Sequence, residues 1–458
     1  MTVQLKTSAS SGAIAITLGD RSSFKTLAAT LPAPTRHWLA ALGFTGAPDS
    51  FALVPGPDGK LGQVFAGINH VADPFALAAL PNALPEGRYF LSDQGLNLQP
   101  EQAALSWELG GYQFDLYKPR RRAPAELQLV PSADAQRGLA FATAMAATRD
   151  LVNTPAEHMG PEELAKAAQM IAKQHGAKFK QIVGDDLLKQ NFPAIHAVGR
   201  ASTRAPRLIE LNWGAADAPL LCIVGKGVCF DTGGLDIKGA DGMRQMKKDM
   251  GGAANALGLA ALVMAFKLPV RLQVLIPAVE NSIAGNAYRP GDVIKTRKGL
   301  HIEIGNTDAE GRVVLSDALA YASEGKPELI IDLATLTGAA RVALGAQLPA
   351  LFSKHFDSAR DLVDLGLKLE DPMWHMPLWA PYKAGIESSI GDIVNTGRNA
   401  LGGAINAALF LEYFVPENQD WLHIDLFAWN DVARPGRPVG GEAQTIRTLL
   451  AYLEQRFA

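Results

Sequence analysis

The chain contains 458 residues, a length that corresponds to two or three domains of ordinary size. Hydrophobic residues make up 48% of the chain and charged residues 19%, which is typical of a folded globular protein and excludes wholesale disorder. The 43 basic and 46 acidic side chains leave a net charge of −3, and this balance argues against a protein that coats nucleic acid. No apolar run approaches the ~18 residues that a membrane span needs, so we expect no membrane segment.

Targeting signals and cysteines both bear on the cellular compartment. Residues 1–20 lack the basic segment and apolar core of a secretory signal peptide. Cys222 and Cys229 both lie in apolar sequence, where we expect buried free thiols rather than a disulfide framework or a cysteine-rich zinc site. Free thiols fit a reducing compartment, so we expect a cytoplasmic protein.

Residues 1–128 form the first predicted domain, a smaller N-terminal α/β domain. Short apolar runs at residues 13–16 and 63–68 alternate there with helical patterns such as residues 74–79. No motif in this region indicates chemistry. The basic, proline-punctuated segment 118–124 is typical of a solvated linker, although a run of this kind can also contact nucleic acid.

Residues 129–458 form the second, larger α/β domain. Their alternation of strands and helices predicts a central mixed sheet flanked by helices. A linker helix at residues 133–151, with Ser132 as its N-cap, opens this domain. The other predicted elements are helices at 161–175, 253–266 and 313–323, strands at 220–224, 271–276 and 329–333, and a hairpin at 292–304.

The first of two glycine-rich, charged segments follows directly on a predicted buried strand. It places Lys226 and Asp231 at the carboxyl end of that strand, where α/β sheets usually bind ligands. It continues through Lys238 to Asp249, which lies just before a predicted helix. Taken alone, Asp249 would be a helix cap and the two lysines would be solvated loop residues.

The second segment, residues 305–312, carries charged side chains at Asp308, Glu310 and Arg312. In extended backbone this period of two places all three on one side of the chain. The two carboxylates then repel each other unless positive charge lies between them. Arg312 supplies one such charge, and a metal ion would supply more. The alternative is a salt bridge within the loop ahead of a helix.

Together the two segments match the charge of a dinuclear metal site. Their candidate carboxylates are Asp231, Asp249, Asp308 and Glu310. Two divalent cations would neutralise them, and oxygen donors favour Zn²⁺, Mn²⁺, Mg²⁺ or Co²⁺. If Lys226 is also a ligand it must be unprotonated, and adjacent dications would depress its pKa. Asp236 and Asp241 compete as ligands on spacing alone, and Lys238 is a candidate electrophile.

At these residues the sequence resembles the leucyl aminopeptidase family, the dinuclear cytosol aminopeptidases. The family signature is the string at residues 306–312, followed here by Val313 where the family usually has leucine. Other blocks that match in order are residues 224–227, 230–234, 249–254, 332–339, 377–379 and 404–414. The similarity covers roughly residues 140–450, and residues 1–128 carry no recognisable match.

The resemblance implies a metal-dependent aminopeptidase that hydrolyses the N-terminal amino acid from peptides through a water held by two metal ions. The ions implied are zinc or manganese, two in each subunit. The ligands implied for the tighter ion are Lys226, Asp231, Asp249 and Glu310. Those implied for the other ion are Asp231, Asp308 and Glu310, so that Asp231 and Glu310 bridge the two.

The resemblance also implies the remaining parts of an active site. Lys238 would polarise the scissile carbonyl, and Arg312 would hold a bicarbonate ion as general base. The implied substrate contacts are Met246, Thr335, Leu336, Gly338 and Phe427. The family often has a small residue in place of Phe427, so we expect a reshaped pocket and a preference that departs from leucine. The family acts on peptides as a homohexamer.

Three alternatives stay open on the sequence alone. Some bacterial relatives bind DNA as regulatory proteins, against which the net charge of −3 argues. A catalytically inactive homologue is a second alternative, but every expected metal position is filled. A dinuclear hydrolase with another substrate, such as a phosphoester, is the third, and the paired lysines fit peptide hydrolysis better.

Overall fold

The computed structural model describes residues 2–458, and the contacts within it divide the chain into two compact units. The first unit extends to Ala146 and also includes Asp431–Val439. The second unit comprises Ala147–Asn430 and Gly440–Ala458. Beside this division, the domain boundary between residues 128 and 129 stays a prediction. None of the described helices is long and apolar enough to cross a membrane.

A six-stranded sheet organises the first unit. Its strands are β1 (Val3–Leu5), β2 (Ile14–Gly19), β3 (Phe51–Pro55), β4 (Leu61–Gly67), β5 (Arg88–Gly95) and β6 (Glu126–Leu129). The strand order is β1-β6-β5-β2-β4-β3, and every neighbouring pair is parallel except β3 with β4. Its helices are α1 (Ser23–Thr30), α2 (Ala33–Ala41) and α3 (Pro100–Gly111).

Two expectations for this first unit are wrong. The segment 118–124 is not a linker, since it connects α3 to β6 within the same unit. Arg120 and Arg122 donate from there to backbone carbonyls of Gly111 and Leu84, at 2.9 and 2.6 Å. Residues 74–79 form turns with i→i−3 backbone bonds rather than a helix, because that geometry brings their apolar side chains into the core.

A nine-stranded mixed sheet organises the second unit. The strands of this unit are β7 (Lys178–Val183), β8 (Arg207–Trp213), β9 (Leu220–Gly225), β10 (Gly227–Asp231), β11 (Arg271–Asn281), β12 (Val293–Lys295), β13 (His301–Glu303), β14 (Leu329–Ala334), β15 (Ala350–Ser353), β16 (Trp374–His375), β17 (Ile393–Val394), β18 (Trp421–Asp425), β19 (Trp429–Asn430) and β20 (Gly440–Gly441). The large sheet has the order β16-β15-β18-β14-β9-β11-β8-β7, with β10 paired to β11. Strands β12, β13 and β17 form a three-stranded sheet, and β19 pairs with β20.

Helices cover both faces of this large sheet. The helices of this part of the chain are α4 (Ala133–Asn153), in which the boundary between the units lies, α5 (Pro161–His175), α6 (Asp186–Lys189), α7 (Pro193–Gly199), α8 (Ala240–Met243), α9 (Gly251–Ala265), α10 (Glu310–Glu324), α11 (Gly338–Leu344), α12 (Phe356–Lys368), α13 (Gly403–Glu412) and α14 (Ile446–Phe457). Cys222 and Val224 of β9 pack in one buried cluster with residues of α7, α10 and α13. On the opposite face, Gly225 lies against Ala253 of α9. The predicted α/β fold with a central mixed sheet is confirmed.

The parallel part of the sheet decides where polar side chains can gather. Strands β10, β11, β9, β14 and β18 run parallel to one another, so their carboxyl ends lie at one edge of the sheet. Open α/β sheets bind ligands outside the carboxyl ends of their strands. The structure therefore collects at this edge residues that are far apart in the chain.

Most predicted elements of the second unit form, with one informative error. The helix predicted at residues 161–175 is α5, and Ser132 Oγ accepts the predicted capping bond from Ala135 N, at 3.1 Å. Helix α10, however, begins at Glu310 rather than at residue 313. Glu310 and Arg312 therefore lie in a helical first turn, and the period-two argument from extended backbone is wrong. A carboxylate in the first turn favours this earlier start, because it faces the positive end of the helix dipole.

Asp317 of α10 ties three elements of the second unit together. Its Oδ2 accepts N–H bonds from Ala194 and Ile195 at the start of α7, at 2.8 and 3.3 Å. Its Oδ1 accepts the N–H of Arg297, in the turn between β12 and β13, at 2.7 Å. Burial raises the pKa of Asp317 to about 7, although the three N–H donors act to lower it.

We expect Asp317→Asn to lower the free energy of unfolding by about 1–3 kcal/mol, because an amide NH₂ would face a backbone N–H where an oxygen now accepts. The urea midpoint of unfolding measures this change. Asp364→Asn, on the exposed face of α12, is the matched control and should alter stability by no more than about 0.5 kcal/mol. Equal midpoints for the two variants would contradict the structural role of Asp317.

Candidate metal centre

The charged residues of both sequence segments meet at the carboxyl edge of the large sheet. Lys226 directly follows β9, and Asp231 is the last residue of β10. Asp249 lies in the 3₁₀ turn Met246–Met250 that leads into α9. Glu310 is the first residue of α10.

Two lysines lie between pairs of carboxylates in this cluster. Lys226 Nζ is 2.8 Å from Asp249 Oδ2 and 2.8 Å from Glu310 Oε1. Lys238 Nζ is 2.9 Å from Asp231 Oδ2 and also contacts Asp308 Oδ1. The lysine side chains are only 3% and 16% exposed, so neither is a solvated loop residue.

Local backbone geometry holds Asp231 in place. Its Oδ1 accepts the N–H of Gly233 at 2.9 Å. Gly233 has a φ of +86°, which favours glycine, and a Cβ there would lie 2.5 Å from the carbonyl oxygen of Asp236. The turn after β10 therefore needs glycine at this position in order to direct an N–H at the carboxylate.

The donor set fits divalent cations. Single carboxylate oxygens of Asp231, Asp308 and Glu310 lie within 4.8 Å of one another. Glu310 Oε2 is buried and has no hydrogen-bond partner within residues 2–458. Burial and the charge of Asp231 raise the pKa of both Asp308 and Glu310. Additional positive charge in the cluster would therefore favour the ionised form of both carboxyl groups.

Burial and neighbouring carboxylates act on the pKa of Lys226 in opposite directions. Burial acts to lower its pKa, but Asp249, Glu310 and Asp231 together raise it well above the ordinary lysine value. Protonated Lys226 is therefore a counter-ion for three carboxylates. A neutral lysine amine is a metal ligand only where other cations take over that task, and divalent ions in the same cluster would do so.

Competing interpretations of single residues do not hold in the structure. Asp249 makes no capping bond to α9, whose N-cap is Met250. It instead accepts a bond from Thr335 Oγ1, at 2.8 Å. Asp236 accepts the N–H of Thr307 at 2.8 Å, and Asp241 is exposed.

Three of the residues implied as substrate contacts, Thr335, Leu336 and Gly338, lie between the end of β14 and the start of α11. The Thr335 carbonyl accepts a bond from Lys226 Nζ at 3.0 Å, and the Leu336 N–H donates to Asp425 Oδ1 at 2.9 Å. Gly338 is the first residue of α11, and Met246 is the first residue of the 3₁₀ turn that contains Asp249.

Phe427 is almost fully buried, and cations lie over its ring. Lys248 Nζ is 4.6 Å from the ring centroid and Arg341 Cζ is 4.9 Å from it. The ring also lines a small cavity with Thr337, Ala340 and other residues of the segment that follows β14. Both contacts lie within the distance at which a cation is attracted to an aromatic ring.

Arg312 is buried at the first turn of α10. Its Nη1 donates to the carbonyl oxygen of Asn395 at 2.8 Å, while its Nε has no partner in the described chain. Burial lowers the pKa of the guanidinium to about 10, so it stays charged at neutral pH. Arg312 therefore retains an unused donor.

Sequence reasoning missed several polar residues that support the centre. Thr307 Oγ1 donates to the Gly233 carbonyl at 2.6 Å, and Tyr288 OH donates to the Thr307 carbonyl at 2.6 Å. Asn281 ends β11, and Asp425 ends β18. The signal available in the sequence was a polar residue at the carboxyl end of an apolar strand. The strand predicted at 271–276 ended before Asn281 and therefore missed it.

These features define a class of α/β proteins in which carboxylates gather at the carboxyl edge of a sheet and form a donor set that fits divalent metal ions. The comparisons with known proteins narrow this class. A profile of the cytosol aminopeptidase family, catalytic domain, matches residues 146–450. A second profile, M17 aminopeptidase N-terminal domain, matches residues 18–130, where the sequence alone indicated no family. The chain belongs to the cytosol aminopeptidase family.

Individual relatives agree with this assignment. A probable cytosol aminopeptidase of Syntrophotalea carbinolica is 40% identical over 365 residues, covering 76% of this chain and 73% of the relative. The crystal structure of cytosol aminopeptidase from Coxiella burnetii covers 100% of both chains, with 47% identity and a TM-score of 0.95. The bottromycin maturation enzyme BotP in complex with Mn covers 98% of this chain and 100% of BotP, with 30% identity and a TM-score of 0.85. The protein is a metal-dependent aminopeptidase that acts on peptides.

Gly311→Ala tests whether turnover depends on the position of Lys226, because it should displace this side chain without weakening the helix. Alanine inside a helix is favoured over glycine by about 0.5–1 kcal/mol. A Cβ at residue 311 would, however, lie 2.6 Å from both Nζ and Cε of Lys226. We therefore expect a stable variant whose kcat/KM for an aminoacyl anilide falls by about 100-fold, because Lys226 must move.

Gly285→Ala is the control, since a Cβ there meets no described atom within 4 Å. It should keep the wild-type kcat/KM. Wild-type kinetics for Gly311→Ala would show that the observed position of Lys226 is not needed for turnover.

Proposed function

We propose that this aminopeptidase holds two divalent ions at the carboxyl edge of the large sheet. The ligands proposed for one ion are Lys226, Asp231, Asp249 and Glu310, and those for the other are Asp231, Asp308 and Glu310. The convergence of four carboxylates on two lysines, with one oxygen of Glu310 left without a partner in the described chain, is the observation that carries this proposal. When bound, the ions supply Lewis acidity and a water nucleophile at neutral pH.

The ions are proposed to be zinc or manganese. Oxygen and amine donors suit both metals. The Mn complex of the similar enzyme BotP supports manganese.

Lys238 is proposed to stabilise the negative charge that develops on the scissile carbonyl oxygen. Burial acts to lower its pKa, but Asp231 and Asp308 raise it above the ordinary lysine value, so the ammonium group stays charged. A fixed positive charge near the reacting carbonyl stabilises the tetrahedral state more than the substrate.

Arg312 is proposed to bind a bicarbonate ion that acts as general base. Support comes from its charge, its burial and its unpartnered Nε. A guanidinium binds a planar oxyanion through two parallel N–H bonds, for which the bond from Nη1 to Asn395 leaves donors free.

The substrate side chain is proposed to bind beside Met246, Thr335, Leu336, Gly338 and Phe427.

The family resemblance further supports a homohexamer, for which the mass of the particle in solution is the test. A cytoplasmic location is proposed because relatives are named cytosol aminopeptidases and because Cys222 and Cys229 are buried free thiols.

Removal of metal should abolish release of the N-terminal amino acid. We expect chelator-treated enzyme to lose activity and to regain it when Zn²⁺, Mn²⁺ or Co²⁺ is added separately, because the carboxylates alone supply no Lewis acid. Release of the N-terminal residue from an unblocked peptide measures the activity. The same peptide with an acetylated amino group is the control and should not be hydrolysed.

Glu310→Ala distinguishes this site from any other metal site in the protein. The variant should keep its fold, measured by circular dichroism, and lose turnover at saturating metal. Retention of the wild-type rate by this variant would overturn the proposed dinuclear site.

Phe427→Ala should broaden the preference for the N-terminal side chain. Removing the ring opens space beside the proposed pocket, so anilides of larger amino acids should gain kcat/KM relative to alanine anilide. A panel of aminoacyl anilides assayed on the variant and the wild type measures this shift. Phe356→Ala, whose ring is 68% exposed on α12, is the matched control. Identical profiles for wild type and Phe427→Ala would exclude Phe427 from the pocket.

A further inference from the structure

Asn281 joins the two charged segments of the metal centre. It ends β11 and pairs in register with Asp231, at the end of β10. Its side-chain Nδ2 donates to Asp231 Oδ1 at 2.8 Å and to the carbonyl oxygen of Thr307 at 3.0 Å. Asp231 belongs to the first segment and Thr307 to the second, so one buried amide connects both.

The orientation of this amide follows from its partners. A carboxylate and a backbone carbonyl both accept hydrogen bonds, so the NH₂ group must face them. Asn281 Oδ1 then points the other way, where it is buried and has no partner in the part of the chain that the structure describes. Leaving a buried acceptor unpaired lowers stability. Asn281 carries this cost in the orientation that directs both of its N–H groups at the metal centre.

The bond from Asn281 decides which oxygen of Asp231 is available. Oδ1 accepts two bonds, from Asn281 Nδ2 and from the N–H of Gly233 at 2.9 Å. Oδ2 faces Lys238 Nζ at 2.9 Å. The backbone of Asn281 adds to the same support, because its carbonyl accepts bonds from both N–H and Oγ1 of Thr232.

We propose that Asn281 is a positioning residue for the metal centre, which turns Asp231 Oδ2 toward the ions and fixes the distance between the two ligand segments. This inference rests on the proposed assignment of Asp231 as a metal ligand. Asn281 itself is not among the proposed metal ligands or substrate contacts. Groups that orient a metal ligand in this way typically change metal affinity by about 10- to 100-fold when they are removed.

The test measures Mn²⁺ binding to metal-stripped protein by the electron paramagnetic resonance signal of free Mn²⁺. Asn281→Leu keeps much of the side-chain volume and removes both donors, and Asn281→Ala removes them without adding bulk. We expect each folded variant to bind Mn²⁺ about 10- to 100-fold more weakly than wild type. At saturating Mn²⁺, kcat should fall more than KM rises, since the substrate pocket is not changed.

Asn255→Leu is the matched control. Asn255 is equally buried in the same unit, but it bonds the Gly251 carbonyl and the N–H of Gln444, neither of which belongs to a proposed ligand. Its loss should leave the Mn²⁺ affinity unchanged, whatever it does to stability. Thermal unfolding of the metal-free proteins separates the two effects.

The outcomes distinguish this inference from the proposed function. Wild-type Mn²⁺ affinity in a folded Asn281 variant would overturn the positioning role. Failure of both Asn281 variants to fold, with Asn255→Leu folded, would assign Asn281 to the fold alone and would also overturn it. Asp231→Asn tests the premise separately, because unchanged Mn²⁺ affinity in that variant would refute the ligand assignment itself.

Discussion

Repulsion among buried carboxylates is the constraint on which the metal centre depends. The side chains of Asp231, Asp249 and Glu310 are almost wholly removed from water, and Asp308 is close beside them. Carboxylates this close together resist ionisation unless positive charge lies among them. Lys226 offsets part of that charge, and Lys238 offsets another part. The negative charge that remains supports the proposed pair of divalent ions, because these two lysines do not neutralise four carboxylates.

The pairing of strands in the large sheet brings these charged residues together. Residues from separate segments meet because β9, β10, β11, β14 and β18 run parallel and end at one edge. The register pairs Asp231 with Asn281 and Ala334 with Asp425. Asp425 in turn binds the N–H groups of Leu336 and Thr337, so the turn that carries Thr335 is anchored from the neighbouring strand. Strand pairing therefore fixes the position of Asp231, whereas Asp249 lies in the 3₁₀ turn before α9 and Glu310 lies at the start of α10.

The sequence predicted the mixed α/β fold and the clustered charges, but not how the charges come together. Glu310 and Arg312 were grouped by an extended-strand period, whereas they lie in the first turn of α10, because spacing over five residues does not distinguish a strand from a helix start. The only local signal at Asn281 is its place at the carboxyl end of an apolar strand, and its bond to Asp231, 50 residues away, has no counterpart in the local sequence. The segment 118–124 looked like a linker because its arginines are charged, yet they bind carbonyls of their own unit.

Two buried carboxylates in the second unit differ in their hydrogen-bond partners, and this difference separates a structural residue from a candidate metal ligand. Asp317 is fully buried and directs both of its oxygens at backbone N–H groups of its own chain. Glu310 is equally buried, but its Oε2 finds no hydrogen-bond donor among the described residues. Native folds pair nearly all of their buried polar atoms, so the unpaired carboxylate oxygen of Glu310 is a departure that stability alone does not explain. The partner proposed for this oxygen is a divalent cation, which the polypeptide itself does not supply.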